Sequence, residues 1–353
     1  MARRSPLEAL GYGPFFSSQV TDEEAAALLP GRAVEDRGPR LLVAFEDGAR
    51  LVTVPGRLRA RGEVPVVGDF LLAPPGAEPP VARILARRSI LSRGAAGRAE
   101  AEQALAANVD LVFLVHGLDA GVKPRRIERT LAAVYACGAA PVVVLAKADL
   151  EDDLEGALAE ASAAASAAPV LAVSATTGGG VEAVRAFLAP GRTGVFVGPS
   201  GSGKSTLVNA LLGEVVQPTA EVRARDARGR HTTTGRRLLV VPGGGAVIDG
   251  PGIRELKLWD AAGIGEVFDD VAAVAAGCRF RDCAHEDEPG CAVLAAVEEG
   301  RLDPVRLESL KKLEAEVRAA EARKGGAAAR AEKQRWRAVS RAARRFFKDR
   351  GRE

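Results

Sequence analysis

Eight consecutive residues, Gly198-Pro199-Ser200-Gly201-Ser202-Gly203-Lys204-Ser205, fit the spacing G-x-x-x-x-G-K-[ST]. Such a loop turns its backbone N–H groups inward around phosphates, and its glycines permit the curl. Lys204 is placed to contact the β- and γ-phosphates and to stabilise the charge that develops when they separate, and the Ser205 hydroxyl to coordinate Mg²⁺. Thr206 opens the run Thr206-Leu-Val-Asn-Ala-Leu-Leu212, read as a helix whose positive end faces the same phosphates. The bland alternative is a Gly-rich turn; the strand-like Gly194-Val-Phe-Val197 before it and the helix after it weigh against that. Downstream, Asp249-Gly250-Pro251-Gly252 ends another apolar run. There Asp249 could hold the Mg²⁺ shell and the Gly252 N–H could sense the γ-phosphate. Between the two lies Gly229-Arg-His-Thr-Thr-Thr-Gly235, where Thr233, or Thr232 beside it, could reach Mg²⁺ and His231 could orient water or a phosphate.

A second set of residues could read a base. Asp149, in Ala146-Lys147-Ala148-Asp149, can accept two hydrogen bonds from the N1 and N2 edge of guanine, which adenine does not offer. The Lys147 stem can lie along the ring. Ser174-Ala175, after the next strand, could give a backbone N–H to the guanine O6. A third set is Cys278-x₄-Cys283-x-His285-x₅-Cys291: three thiolates and an imidazole suit a closed, tetrahedral, structural Zn²⁺ site. The spacing departs from the paired C-x₂-C knuckle, so a chance cluster of reduced cysteines stands as the alternative.

These residues need a scaffold, and the hydrophobic pattern supplies one. From about residue 105 to 249 apolar strands alternate with helices. Strands are expected at 109–115, 141–146, 170–173, 194–197, 237–241 and 246–249, with helices near 124–137, 152–167 and 180–188. That alternation predicts a doubly wound α/β domain with a largely parallel sheet. Before it, to about Ile90, short strands without a helix (40–45 and 50–54 as a hairpin, then 64–72 and 81–84) predict a small β-barrel. Arg57, Arg59 and Arg61 would share one face of a strand there, either touching phosphates or simply solvated. Beyond 262 the chain reads as mostly helical.

Composition narrows the rest. No apolar run approaches the roughly 18–20 residues of a membrane-spanning helix, and Met1–Pro6 lacks the apolar run of a secretory signal. Four cysteines are too few for a disulfide scaffold, and Cys137, alone on the expected helix at 124–137, reads as core filler. The net charge of +3 hides an uneven split: residues 321–353 carry twelve Lys or Arg against four acids. That basic tail suggests an anionic partner, with a solvated helix face as the alternative. Trp336, Phe346 and Phe347 within it could stack on bases or pack a helix.

The order of the pieces is unusual. Ordinary GTPases begin with the phosphate loop and end with the base-reading residues, whereas here Asp149 and Ser174 precede Lys204 and Asp249 follows it. On these residues the chain resembles the circularly permuted GTPases, specifically the ribosome small-subunit-dependent GTPase A family. Pro65-Val-Val-Gly-Asp69, Glu102-Gln-Ala-Leu-Ala-Ala-Asn-Val-Asp110, the run 231–233 and the Cys/His cluster extend the likeness over nearly the whole chain. The resemblance implies an OB-fold barrel over 1–95, a permuted P-loop GTPase domain over 96–262 and a mostly helical zinc-binding domain with a basic tail over 263–353. It also implies GTP hydrolysis with Mg²⁺, one structural Zn²⁺, and binding to the small (30S) ribosomal subunit and its rRNA late in assembly, the subunit stimulating turnover. A cytoplasmic monomer is expected.

Two positions bear on that expectation. Ala146 stands where the family usually has Asn, a residue that helps tie the base pocket to the phosphate loop, so guanine affinity is expected to fall. Ile253 follows Gly252 where many GTPases carry a water-orienting Gln; isoleucine cannot polarise water, so intrinsic turnover is expected to be slow. The loop 221–237, with six Arg against two acids, would be ordered by GTP and could itself touch rRNA. The rivals are a P-loop ATPase or nucleotide kinase, and a nucleotide-dependent RNA-binding module.

Overall fold

The computed structural model describes residues 5–94, 102–215, 235–249, 263–319 and 322. The barrel is organised around a long first strand, β1 (Leu29–Arg37), which pairs antiparallel with β2 (Arg40–Phe45), and β2 in turn with β3 (Gly48–Thr53). Leu41, Val43 and Phe45 alternate inward along β2, the pattern of a sheet with one buried face. The first half of β1 also pairs with β4 (Phe70–Ala73), which pairs with β5 (Arg83–Ile84). A parallel bridge from Thr53 to Pro80 closes the ring. The register of β1 slips between Ala33 and Glu35; such a bulge bends a strand and frees its far end for another partner.

Three barrel expectations are corrected. Four short helices lie in this region, α1 (Pro6–Ala9), α2 (Pro14–Ser17), α3 (Asp22–Ala27) and α4 (Gly56–Ala60). The first and third carry reciprocal capping boxes, Ser5 with Glu8 and Thr21 with Glu24, a local signal that outweighs the absence of a long periodic face. Arg57 and Arg59 therefore sit on α4 with Arg61 as its C-cap, not on a strand, and at helical spacing Arg59 points away from the other two. The expected strand over 64–72 keeps only its second half: Gly68 is left-handed at φ +97°, and the Asp69 carboxylate accepts the Val66 N–H at 2.7 Å, which makes 66–69 a turn.

The α/β sheet runs in the order β10 (Val170–Val173), β9 (Ala140–Ala146), β8 (Leu111–Gly117), β11 (Thr193–Val197), β13 (Ala246–Asp249), β12 (Arg237–Val240). The first five are mutually parallel and β12 is antiparallel. β8 and β11 are buried almost throughout, as strands covered on both faces must be. The helices α5 (Pro124–Ala136), with Pro124 in its first turn, α6 (Leu154–Ala165), α7 (Val181–Phe187) and α8 (Lys204–Leu212) cover it. Cys137 ends α5 half-buried, its thiol on the Ala133 carbonyl at 3.0 Å. The hairpin of β6 (Ile90–Gly94) and β7 (Glu102–Ala107) spans the step from barrel to sheet.

Sheet and barrel are joined at several points, two of which stand out. The freed end of β1 pairs with β12 at Glu35 and Arg237, where the Asp36 N–H donates to the Arg236 carbonyl at 2.9 Å. The buried Arg32 guanidinium donates to the carbonyls of Gly68 at 3.3 Å, Asn108 at 3.2 Å and Leu10.

The C-terminal part contains α9 (Ile264–Val267), α10 (Asp269–Ala275), α11 (Ala292–Glu298) and α12 (304–319). Arg306 on α12 fastens it: the guanidinium reaches Glu128 of α5 at 2.8 Å and Asp270 of α10 at 2.9 Å, over the Phe268 ring. The Arg129–Glu316 pair at 2.6 Å repeats the link nearly three turns further along α12.

Candidate functional site

Parallel pairing puts the C-terminal ends of β8, β9, β10, β11 and β13 on one edge of the sheet, where ligands of such folds bind. The register places Gly117 beside Ala146, Ala146 beside Val173, and Leu114 beside Val197. Every described residue expected to contact nucleotide lies on the segments leaving these ends.

Gly198 leaves β11 at φ +146°, and a Cβ there would lie 2.2 Å from the Val115 carbonyl oxygen of β8. Only glycine lets the loop pass so close to the neighbouring strand. Gly201 and Gly203 also take positive φ, and Gly203 caps α8. Lys204 begins α8 and curls back: its ammonium donates to the Gly198 carbonyl at 2.8 Å, to the Ser202 hydroxyl at 3.3 Å and to the Pro199 carbonyl. Ser205 and Thr206 occupy the first turn, half-buried, and that turn contains no acid to offset the positive helix end. Leu207, Val208, Leu211 and Leu212 anchor the helix on the sheet. Pro199 and Ser200 form the outer part of the loop.

At the end of β9, Lys147 adopts a left-handed conformation (φ +63°) and leads into a 3₁₀ turn, Ala148–Leu150. This turn exposes Asp149. The Ser174 hydroxyl first, then a backbone N–H and the Thr176 hydroxyl, hold the Asp149 carboxyl below the usual carboxylate range. Thr176 donates to Asp149 at 3.4 Å and lies 3.0 Å from the Ser174 hydroxyl. Ser174 and Ala175 leave β10 in a tight turn closed by Gly178 and Gly179. A Cβ on Gly203 would sit 3.5 Å from the Ala146 Cβ, so the base-reading turn abuts the phosphate loop although it precedes it in the chain. Asp249 ends β13 one residue past Ile248, the partner of Val195. His231, Thr232, Thr233, Gly252 and Ile253 lie outside the described residues, as do Trp336, Phe346 and Phe347.

His116, on β8 one residue before Gly117, is buried; desolvation, with Arg126 and Lys123 nearby, pushes its pKa down to about 4. It is neutral at physiological pH.

Cys278, Cys283, His285 and Cys291 place their donor atoms within 4.8 Å of one another. A tetrahedral ion about 2.3 Å from sulfur and about 2.0 Å from nitrogen sets S···S near ~3.8 Å and S···N near ~3.5 Å. The Cys278 and Cys291 sulfurs are 3.9 Å apart, and His285 Nδ1 is 3.7 Å and 3.4 Å from them. The donors therefore fit a metal ion. Burial pushes the Cys283 thiol up to about 11, with the neighbouring thiols adding to it; a cation removes that repulsion. Cys291 also caps α11, accepting the Leu294 N–H at 3.4 Å. Lys311 on α12 donates to the His285 carbonyl at 2.6 Å and steadies its left-handed turn (φ +57°).

Residues 84–259 match the family model described as RsgA GTPase. The "Small ribosomal subunit biogenesis GTPase RsgA" of Opitutus terrae is 43% identical over 350 residues, 94% of this chain and 95% of that protein. The chain belongs to the RsgA GTPase family. It is 45% identical to the protein of the same name from Methanosarcina acetivorans over 268 residues, 75% of this chain and 73% of that one. The crystal structure of YjeQ from Thermotoga maritima superposes with a TM-score of 0.64 at 27% identity, covering 82% of this chain and 98% of that one. YloQ, titled a circularly permuted GTPase, superposes at 0.61 and 23% identity over 83% and 96% of the two chains, and shares the fold. The OB-like barrel, permuted sheet and helical C-terminal part with its Cys/His cluster are thus the architecture of an RsgA GTPase. Among the described residues no helix is long and apolar enough to cross a membrane.

Three residues of the site belong to no motif: Asp119, 2.6 Å from the Lys147 ammonium, Thr176 and Lys311. Asp119 follows a strand at its C-terminal end, a position that could have flagged it. Thr176 lies two residues past Ser174. Lys311 has no sequence signal.

Proposed function

We propose that this chain hydrolyses GTP as a biogenesis factor of the small ribosomal subunit, binding that subunit and its rRNA in the cytoplasm as a monomer. The observation that carries the reading is the closeness of Ala146 to Gly203, where an added Cβ would lie 3.5 Å from the Ala146 Cβ; it sets the base-reading turn against the phosphate loop in spite of the permuted order. In this reading Asp149 accepts the N1 and N2 hydrogens of guanine and the Ala175 N–H meets O6. Lys204 swings from its loop carbonyls to the β- and γ-phosphates, and with the inward N–H groups of 200–206 it stabilises the charge that grows as water attacks. Ser205, Asp249 and Thr233 would hold Mg²⁺, which neutralises the phosphate oxygens when bound. His231 serves the water in place of the side chain that Ile253 lacks. Cys278, Cys283, His285 and Cys291 hold Zn²⁺. The division at 95/96 and 262/263 separates barrel, GTPase domain and zinc-binding domain.

The test is phosphate release from GTP, titrated with isolated small subunits. Slow basal release that rises with the subunit, and competition by GDP but not ATP, is the expected result. Release from ATP at a matching rate would favour the ATPase reading that Ala146 invites; no release with or without subunits would leave an RNA-binding module.

A further inference from the structure

Ala146 presents a methyl group toward Gly203 of the phosphate loop, and a methyl makes no hydrogen bond, so a polar contact that holds the base-reading turn has to come from another residue. The structure holds one. The Lys147 ammonium lies 2.6 Å from Asp119 Oδ2. Asp119 belongs to a 3₁₀ turn, Leu118–Ala120, that follows β8, and its neighbour Leu118 is buried. Gly117, in register with Ala146, leaves room for the pair. A Cβ at Gly117 would meet Asp119 Oδ1 at 2.5 Å, Ser202 Cα at 3.4 Å and Lys147 Cδ at 3.6 Å. The carboxylate, the lysine stem and the phosphate-loop backbone therefore converge over one missing side chain.

We propose that Asp119 is a positioning residue for guanine nucleotide recognition: it anchors the far end of Lys147, so that the stem lies as a rail along the purine between Asp149 and the phosphate loop. This rests on the GTP reading of the site and deepens it. A free lysine stem has several rotatable bonds to immobilise when the base arrives. Anchored at Nζ, it is ordered beforehand, and the gain appears in binding rather than in chemistry. Lys147, left-handed, follows β9 and Asp119 follows β8, so the ion pair ties the base-reading turn to the end of β8, next to Ser202 of the phosphate loop.

The experiment is equilibrium binding of fluorescent GTP and GDP, with unlabelled ATP as competitor, together with steady-state turnover. The proteins are the full chain, Asp119→Asn, Asp119→Glu, Lys147→Met, and the Asn and Met changes combined. Both partners are partly exposed (28% and 47%), so Asp119→Asn is expected to weaken GTP and GDP alike by about fivefold. KM should rise by the same factor while kcat at saturating GTP moves less than about twofold. Asp119→Glu restores most of the affinity, and in the Lys147→Met chain the Asn change adds nothing further. Unchanged or tighter GTP binding by Asp119→Asn overturns the proposal, as does an equal loss in the Lys147→Met background. Equal affinity of the unaltered chain for ATP and GTP overturns the guanine reading itself, and this is seen before any Asp119 variant is compared.

Discussion

Asp149 is exposed, yet hydroxyls from Ser174 and Thr176 orient it and keep it charged. A carboxylate so held accepts two hydrogens and rejects a base that offers a carbonyl instead. Asp149→Asn should therefore lose GTP affinity by at least about tenfold, since a hydrogen bond to a charged group contributes about 1.5–3 kcal/mol. It should gain xanthosine triphosphate, whose 2-oxo group accepts from the new amide; competition binding reads both. His116 gives a different residue-scale prediction. Its folded pKa, about 4, lies below its ordinary 6.5, so between those values the unfolded chain binds a proton that the folded chain refuses. Stability is full above about pH 6.5 and falls as the pH drops toward 4. In His116→Asn, thermal midpoints between pH 7 and about 4.5 should decline less steeply than in the unaltered chain.

The Cys/His cluster and α12 form an element whose four donors fit a metal ion. Lys311 ties α12 to the His285 turn, and Arg306 ties α12 to α5. Metal analysis is expected to find about one zinc per chain; chelation, or Cys283→Ser, should abolish it and expose the α10–α12 segment to protease. The α8 face of the sheet should stay packed, because its core includes none of the cluster's ligands, whereas the opposite face shares one core with Cys291 and the C-terminal helices and should loosen. At this scale the motifs were the legible part. The phosphate loop, Lys147-x-Asp149 and the Cys/His cluster announce themselves by residue type, and β8, β9 and β11 by unbroken apolar runs. β1 was missed because Pro30 and Gly31 break its strand pattern, and much of its pairing is with β4 and β12, remote in sequence. The short helices escaped because four to six residues show no periodic face; only the caps at Ser5 and Thr21 mark α1 and α3. Asp119 and Lys311 act through partners 28 and 26 residues away, a relation that no local spacing expresses.

Taken as a whole, the molecule keeps its barrel and sheet in contact through Arg32. Burial lowers its pKa to about 10, with Asp110 and Asp69 opposing the shift and Arg88 adding to it, so it stays charged. Its flat fork reaches three carbonyls at once, and the single ammonium of lysine cannot span them. Arg32→Lys is expected to cost roughly 2–4 kcal/mol, and Arg32→Ala more, measured by chemical denaturation. Leu10, Gly68 and Asn108 belong to the N-terminal helical segment, the turn before β4 and the entry to β8. One guanidinium thus rivets three stretches of chain that would otherwise be free to unfold in turn. The consequence is thermodynamic: neither barrel nor sheet has a melting point of its own, and a calorimeter should record their loss as a single endotherm.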